Sequence, residues 1–153
     1  MRFSPRLLAR VVPLLVVLVL AGLQLWHRPA PGPGSGTVAR NPSTRNAGLI
    51  AAARSHASDV PVEASGKVIR MLPDDTRGAR HQRFLVHIAD SLTILVVHNR
   101  DVAPRVPLQL GDSVLLRGEY LWNERGGMIH WTHHDPARRH QPGWIEYQGH
   151  RYQ

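Results

Sequence analysis

Hydrophobic and polar residues are distributed differently in three parts of the chain. The first part is an almost continuous apolar run, 11–23, that follows arginines at positions 2, 6 and 10. A Pro- and Gly-rich stretch comes next, and from residue 62 onwards short apolar runs alternate with turn residues. The pattern therefore predicts an N-terminal hydrophobic helix, a linker and one β-rich domain.

The N-terminal part, residues 1–26, has the features of an export signal or a membrane anchor. A basic segment before an apolar run directs export, and its positive charges stay in the cytoplasm. The 20 residues from Leu7 to Trp26 can span a ~30 Å hydrocarbon core at ~1.5 Å per residue. Cleavage after Ala21 is the alternative. We therefore expect a bacterial inner-membrane protein with a periplasmic C-terminal domain, or a secreted or periplasmic form if the signal is cleaved.

Residues 27–60 predict a tether between this helix and the domain. Pro and Gly are so frequent in the first half of the segment that neither a helix nor strand pairing can be sustained there. The Ala-rich stretch 47–56 indicates one short helix. The folded domain is expected to span residues 61–153.

Apolar runs and turn signals in this last part predict an all-β domain. Two of the runs form a hairpin around Asp90-Ser91, and Gly126-Gly127 supply positive φ for a second hairpin. A longer connection precedes the fourth strand, which predicts a small OB-like five-stranded barrel, with a sandwich as the alternative. The strands are predicted at 62–72, 82–89, 92–98, 113–122 and 128–132, and 143–147 forms a sixth strand or a C-terminal cover.

Several strings of residues in the domain are similar to those of a known family. The most specific string is His130-Trp131-Thr132-His133-His134-Asp135-Pro136. Others are Pro73-Asp74-Asp75, His81-Gln82-Arg83-Phe84, His98 to Arg105, Gly118 to Asn123 and Gly143-Trp144-Ile145. Together they resemble the bacterial domain-of-unknown-function family 3465, over residues 60–153. The resemblance implies a short exported or membrane-anchored protein, and it implies neither an activity nor a catalytic residue.

Charge and composition narrow the classes of function. The chain has no Cys, which excludes disulfides, thiolate metal sites and Cys nucleophiles. Its net charge is +8, but residues 61–153 contain 12 basic and 10 acidic residues. Because the excess positive charge lies mainly before the domain, the charge of the domain does not favour nucleic acid as a ligand.

A histidine-rich string at the end of the fifth strand is the first candidate for chemistry. Imidazole and carboxylate groups bind Zn, Ni, Fe or Mn, so the string predicts a divalent-metal or acid–base site. Its spacing matches no standard metal signature, and the alternative is that the imidazoles hold a C-terminal loop by hydrogen bonds. The residues concerned are His130, His133, His134, Asp135 and His140.

A second cluster is expected at the open end of the first hairpin. His81 precedes one strand and His98 ends its partner, and antiparallel pairing around Asp90-Ser91 brings the two close together. Asp74 and Asp75 lie in the preceding turn. Two carboxylates and two imidazoles could bind a cation or exchange protons, and the alternative is ordinary turn chemistry with solvated histidines.

Aromatic and basic residues provide candidates for ligand binding. If Trp122 pairs with Met128 across the second hairpin, Tyr120 opposes His130 and Trp131 lies on the other face. Such rings stack on bases or sugars, and the alternative is packing in the core. The binding candidates are Trp122, Trp131, Trp144, Tyr120, Arg83 and Arg105.

These observations favour two functions. The first is a membrane-tethered periplasmic binding module for a polar polymer, such as an oligonucleotide or a glycan, or for a protein partner. The second is a metal-dependent phosphodiester hydrolase that uses the His and Asp residues. The sequence contains no nucleophile elbow, Walker-type loop or dinucleotide fingerprint, and it does not decide whether the protein is an enzyme.

Overall fold

The computed structural model describes residues 41–153. The expected signal or anchor (1–26) and most of the expected Pro- and Gly-rich tether (27–40) lie outside these residues. Residues 40–153 form one compact unit, and the described residues have their own hydrophobic core. In the part of the chain that the structure describes, no helix is long and apolar enough to cross a membrane.

The unit is built from one short helix and seven strands that form one mixed sheet, which confirms the prediction of a mostly β domain. The elements are α1 (Pro42–Arg54), β1 (Val60–Asp75), β2 (His81–Ala89), β3 (Leu92–Asn99), β4 (Ser113–Leu121), β5 (Met128–His130), β6 (Trp144–Tyr147) and β7 (His150–Tyr152). The order in the sheet is β1-β2-β3-β5-β4-β6-β7, and β1 also pairs with β4. The β3–β5 pair is parallel and the other pairs are antiparallel.

The long strand β1 pairs with two neighbouring strands. Its first half pairs with β4 up to Lys67, and its second half pairs with β2 from Lys67 onwards. A β-bulge between Val68 and Arg70 interrupts the β2 pairing, and bulges bend a strand and increase its twist. A Cβ at Gly66 would lie 2.3 Å from the carbonyl oxygen of His87, so only glycine allows the two strands to approach this closely.

Helix α1 is fastened to the sheet at its beginning. Asn41 caps it by accepting a hydrogen bond from the backbone N–H of Ser43 at 3.3 Å, and Pro42 occupies the first turn. Both are favourable helix starts, so the helix begins before the predicted residue 47. Leu49 is fully buried in the core, and Asn46 hydrogen-bonds the backbone of β1.

The β4–β5 hairpin differs from the prediction by one residue. Met128 pairs with Leu121 instead of Trp122, so the prediction that Tyr120 opposes His130 is wrong. Because successive side chains alternate between the two faces of a strand, a shift of one residue moves a side chain to the opposite face. Tyr120 is fully buried, and its hydroxyl donates a hydrogen bond to a backbone carbonyl of the hairpin loop at 2.9 Å.

Candidate functional site

The histidine-rich string leaves the sheet directly after β5. The strand ends at His130, earlier than predicted, because Trp131 has a left-handed backbone conformation with φ of 51°. For a bulky residue this conformation costs ~1–3 kcal/mol, and such strain is concentrated at functional sites. After this turn, Thr132 and His133 are buried.

Three imidazoles surround the partly exposed ring of Trp131. Its centroid lies 4.2 Å from that of His140, 5.2 Å from that of His130 and 5.7 Å from that of His133. The rings of His133 and His140 meet edge to face at 5.3 Å. We refer to these four residues and Asp135 as the Trp131 cluster.

Hydrogen bonds fix the orientation of two imidazoles in the cluster. His133 and His140 each donate from Nδ1 to the backbone carbonyl of the following residue, both at 2.8 Å. In the neutral ring, Nε2 then carries a lone pair. The Nε2 atom of His140 is buried without a hydrogen-bond partner. It lies 3.7 Å from Oδ2 of Asp135, which is too long for a hydrogen bond.

Asp135 organises the loop that leads to His140. Its carboxylate accepts hydrogen bonds from the backbone N–H groups of Ala137 at 3.0 Å and Arg139 at 2.6 Å. Burial alone would raise the pKa of Asp135, but these bonds and the Arg139 side chain outweigh burial and lower the pKa to about 2. The cluster therefore contains a buried, fixed negative charge. His134, from the same string, is exposed.

Burial disfavours a positive charge on the imidazoles of His130 and His133. Burial lowers the pKa of both residues. Glu119 opposes this effect for His130, because its Oε1 lies 3.3 Å from the ring Nε2. The surroundings of both rings therefore oppose a positive charge in the cluster, and less so for His130 than burial alone would.

A small pocket opens beside Trp131 at β4. Its volume is about 30 Å³, which is room for about two water molecules. Arg117 lines it and donates a hydrogen bond to the side chain of Gln141 at 3.2 Å. Glu119, Trp131 and His140 also line the pocket. Sequence reasoning missed Arg117, Glu119 and Gln141, because isolated polar residues on an outer strand face or in a loop form no pattern.

The predicted metal site has no complete set of ligands in the described residues. Within residues 41–153, no three His, Asp or Glu side chains are placed to hold one metal ion. His130 is paired with Glu119, and both carboxylate oxygens of Asp135 accept backbone hydrogen bonds. Because a catalytic zinc takes three protein ligands, the geometry gives the metal hypothesis no support.

The second predicted cluster is divided between two faces of the sheet. Gln82, rather than His81, pairs with His98, so His81 and His98 do not share a face. His98 is fully buried. Its Nε2 donates to the carbonyl of Pro104 at 3.1 Å and its Nδ1 accepts from the hydroxyl of Thr132 at 2.8 Å. Burial lowers the pKa of His98 to about 4.

Gln82 and His98 together hold the connection between β3 and β4. Gln82 is fully buried, donates to the carbonyl of Val106 at 2.8 Å and accepts from its N–H at 3.0 Å. Neither side chain leaves a buried polar atom without a partner. We refer to Gln82 and His98 as the loop clamp, and its geometry is that of a structural element.

The acidic residues of the second cluster are engaged in the same region. Asp74 accepts hydrogen bonds from Arg105 at 2.6 Å and Arg100 at 3.0 Å, which lower its pKa. Asp75 accepts a backbone hydrogen bond at 3.1 Å within its own turn. Arg83 donates twice to a backbone carbonyl of β1, at 3.0 and 2.8 Å. The binding candidates Arg83 and Arg105 therefore already hold protein groups.

The three tryptophan candidates have different surroundings. Trp144 is 6% exposed and lies under the guanidinium group of Arg151, 4.2 Å from its ring centroid. Trp122 stacks on His56 with centroids 4.1 Å apart. Trp131 combines partial exposure with a strained backbone and a polar pocket, so it is the best candidate of the three for contact with a ligand.

Comparison with known proteins identifies a family. A family model described as "Protein of unknown function (DUF3465)" matches residues 37–153, which are 117 of the 153 residues. The match includes the whole Trp131 cluster, the pocket beside it and the loop clamp. No curated protein matches the chain.

Proposed function

We propose that the chain, which belongs to the DUF3465 family of proteins of unknown function, is a membrane-tethered periplasmic binding module for a glycan. The ligand binds at the Trp131 cluster and the adjoining pocket. The tether and the periplasmic location rest on the N-terminal sequence, whereas the binding site rests on the geometry around Trp131.

The proposal rests on two features that occur together in the Trp131 cluster, a strained backbone conformation and a buried polar atom without a hydrogen-bond partner. Trp131 has a φ of 51°, and Nε2 of His140 is buried without a partner. Each feature costs free energy, and such costs are retained most often where they serve binding or catalysis. An indole face packs against the apolar face of a sugar ring, while the pocket supplies the few polar groups that fix its orientation.

The charges around the pocket favour a hydroxyl-rich ligand over nucleic acid. Arg117 and Glu119 both line the pocket, so their charges offset each other, and a polyphosphate needs an excess of positive charge. Guanidinium, carboxylate and amide groups can all hydrogen-bond hydroxyl and acetamido groups. Because the pocket holds about 30 Å³, it admits a methyl or hydroxymethyl group, and the sugar ring would lie outside it on Trp131.

The strand pairings support an OB-type barrel as the finer description of the sheet. β1 pairs with both β2 and β4, and β5 joins β3 to β4. Five strands are therefore paired in a closed cycle. Barrels of this type bind oligosaccharides and oligonucleotides on their outer strands and loops, and the Trp131 cluster lies in the loop that follows β5.

Titration of residues 40–153 with soluble cell-wall glycan fragments tests the proposal. We expect saturable binding by calorimetry and a change in tryptophan fluorescence. Trp131→Gly should weaken binding by about tenfold or more. It should do so without unfolding the domain, because glycine adopts a positive φ without strain. The matched control is Trp122→Ala, which removes a second partly exposed indole outside the pocket and should keep the wild-type affinity.

Single-stranded DNA is the comparison ligand in the same experiment. If DNA binds in a salt-dependent manner that requires Trp131, the ligand class is nucleic acid and the glycan proposal is wrong. Equal affinities of the Trp131 and Trp122 variants, or no saturable binding to either polymer, would contradict the proposed site.

A further inference from the structure

A second surface, on β1, combines exposed apolar residues with free positive charge. Among the described residues, the large apolar side chains exposed most are Ile69 at 44%, Val102 at 49% and Leu110 at 70%. The N–H of Gly111 donates to the carbonyl of Val68 at 2.7 Å. Because Leu110 precedes this glycine and Ile69 follows this valine, the two exposed residues flank the same backbone hydrogen bond.

Two cations flank these residues on the same strand. Lys67 and Arg70 are exposed, and within residues 41–153 neither side chain has a hydrogen bond or an ion pair. Arginines of the β1–β2 turn, of β2 and of the β3–β4 connection, by contrast, bind carboxylates or a carbonyl; they are Arg77, Arg80, Arg83, Arg100 and Arg105. We refer to Lys67, Ile69, Arg70 and Leu110 as the basic–apolar patch.

The patch begins close to the place where the chain enters the domain. Asn46 in α1 donates to the carbonyl of Ser65 at 3.0 Å and accepts from its N–H at 2.8 Å. Lys67 follows two residues later on β1, at a distance of ~7 Å along the strand. Only 15 residues, 27–41, separate the predicted anchor from the start of α1 at Pro42. The predicted membrane anchor is therefore joined to the domain by a short segment that enters it at α1, beside the patch.

The chemistry of the patch matches a lipid surface. Free lysine and arginine side chains are attracted to anionic headgroups, and exposed aliphatic side chains enter the boundary between headgroups and acyl chains. Asp112, the acidic residue next to the Leu110 turn, accepts a hydrogen bond from the N–H of Gln109 at 2.7 Å. Its carboxylate is thus bound within the turn.

We infer that the basic–apolar patch docks the folded domain onto the anionic membrane surface to which the chain is tethered. Lys67 and Arg70 contact lipid headgroups, and Ile69 and Leu110 enter the interface. Docking on β1 orients the domain on the membrane. The inference rests on the membrane tether of the proposed function and is independent of its glycan site.

Flotation of residues 40–153 with vesicles of phosphatidylglycerol and phosphatidylethanolamine tests the inference. We expect binding that weakens as salt is raised and is nearly lost on phosphatidylcholine vesicles. The double variant Lys67→Glu/Arg70→Glu should lower the bound fraction by about tenfold or more. Leu110→Ser should lower it by about fivefold through the loss of apolar contact.

Two matched controls change the same residue types elsewhere. Arg125→Glu reverses an exposed cation in the β4–β5 loop, and Val102→Ser removes an exposed apolar side chain. Both should bind vesicles like the wild type, and so should Trp131→Gly, which separates this inference from the glycan proposal. Absent wild-type binding, or equal losses in the controls, would overturn the inference. A wild-type dimer that Leu110→Ser dissociates would instead assign the patch to self-association.

Discussion

The Trp131 cluster and the loop clamp use similar residues in opposite ways. In the loop clamp, Gln82 and His98 are fully buried. Gln82 makes two hydrogen bonds to the backbone of Val106. His98 makes one hydrogen bond to Pro104 and one to Thr132. In the Trp131 cluster, His140 keeps one ring nitrogen without a partner, and the indole remains partly exposed. Both regions contain buried polar side chains, but only the loop clamp has a hydrogen-bond partner for each of them.

The contrast shows that the two regions differ less in residue type than in whether their buried polar atoms have hydrogen-bond partners. A fully paired buried network makes the fold more specific and rigid. An unpaired buried group costs free energy and calls for an explanation such as a ligand, a water molecule or stored strain. We therefore expect substitutions in the loop clamp to affect stability most, and substitutions in the Trp131 cluster to affect binding most.

The largest effect on stability is expected from Gln82→Ala. The substitution leaves the buried N–H of Val106 without a partner, at ~1–3 kcal/mol. It also removes one of the two hydrogen bonds to the Val106 carbonyl, which keeps the bond from the N–H of Leu108 at 2.9 Å, and we expect a total loss of about 3–4 kcal/mol. Urea unfolding of residues 40–153 measures it. Gln141→Ala, at an exposed position, is the matched control and should change stability by less than about 0.5 kcal/mol. A loss at Gln82 as small as in this control would show that the clamp does not hold the loop.

Acid should weaken the loop clamp through His98. Burial lowers its pKa from 6.5 to about 4, so the unfolded chain binds this proton at a higher pH than the folded chain does. The free energy of unfolding should therefore fall between pH 6.5 and pH 4, by on the order of 3 kcal/mol from this group. His130 and His133 act in the same direction, because burial lowers the pKa of both.

Urea unfolding at several pH values between about 7.5 and about 4 tests this pH dependence. His98→Gln should be less stable than the wild type near neutral pH, but its decline with falling pH should be less steep, because one proton fewer is taken up on unfolding. The control His150→Gln, on exposed β7, should keep the wild-type decline. Parallel curves for the wild type and His98→Gln would refute this assignment.

The fold was predictable from sequence wherever side chains alternate between water and the core. Strands β2, β3 and β4 show this alternation, and their predicted bounds agree with the structure to within about a residue. Strand β7 was missed because its three residues are polar or aromatic and mostly exposed. It forms because Gln148 and Gly149 both adopt positive φ, 50° and 77°, and reverse the chain after β6.

The candidate site was predictable only in part. The clustering of His and Trp along the sequence pointed to Trp131, His133 and His140, which the structure does bring together. The separation of His81 from His98 depends on a single residue of register, which a strand pattern does not fix. The left-handed backbone conformation of Trp131 depends on contacts made in the folded domain, so no local sequence pattern predicts it.

A smaller loss of stability is expected from Asp74→Asn, which removes two partly exposed ion pairs near the loop clamp. Asp74 binds Arg100 and Arg105, but its side chain is 23% exposed, so solvent screens the pairs. We expect Asp74→Asn to cost about 1 kcal/mol in urea unfolding and to leave glycan binding unchanged. Glu124→Gln, in the exposed β4–β5 loop, is the control for removal of one negative charge. If Asp74→Asn costs as much stability as Gln82→Ala, Asp74 holds the connection as strongly as the clamp does. Burial would then not explain the difference between the two sites.

The smallest effect on stability is expected from His140→Phe, which tests the comparison most directly. The variant keeps a ring against Trp131 and removes the buried Nε2 that has no partner. It also loses the bond from Nδ1 to the carbonyl of Gln141, but that residue is exposed and water can replace the donor. The two changes oppose each other, so we expect stability to change by less than about 1 kcal/mol. The same substitution in the loop clamp, His98→Phe, leaves the buried hydroxyl of Thr132 and the part-buried carbonyl of Pro104 without their partner, and should cost about 3 kcal/mol. Urea unfolding of both variants, with glycan titration of His140→Phe, measures the contrast. Equal costs for the two variants would show that His140 is as structural as His98, and unchanged glycan affinity in His140→Phe would exclude its Nε2 from binding.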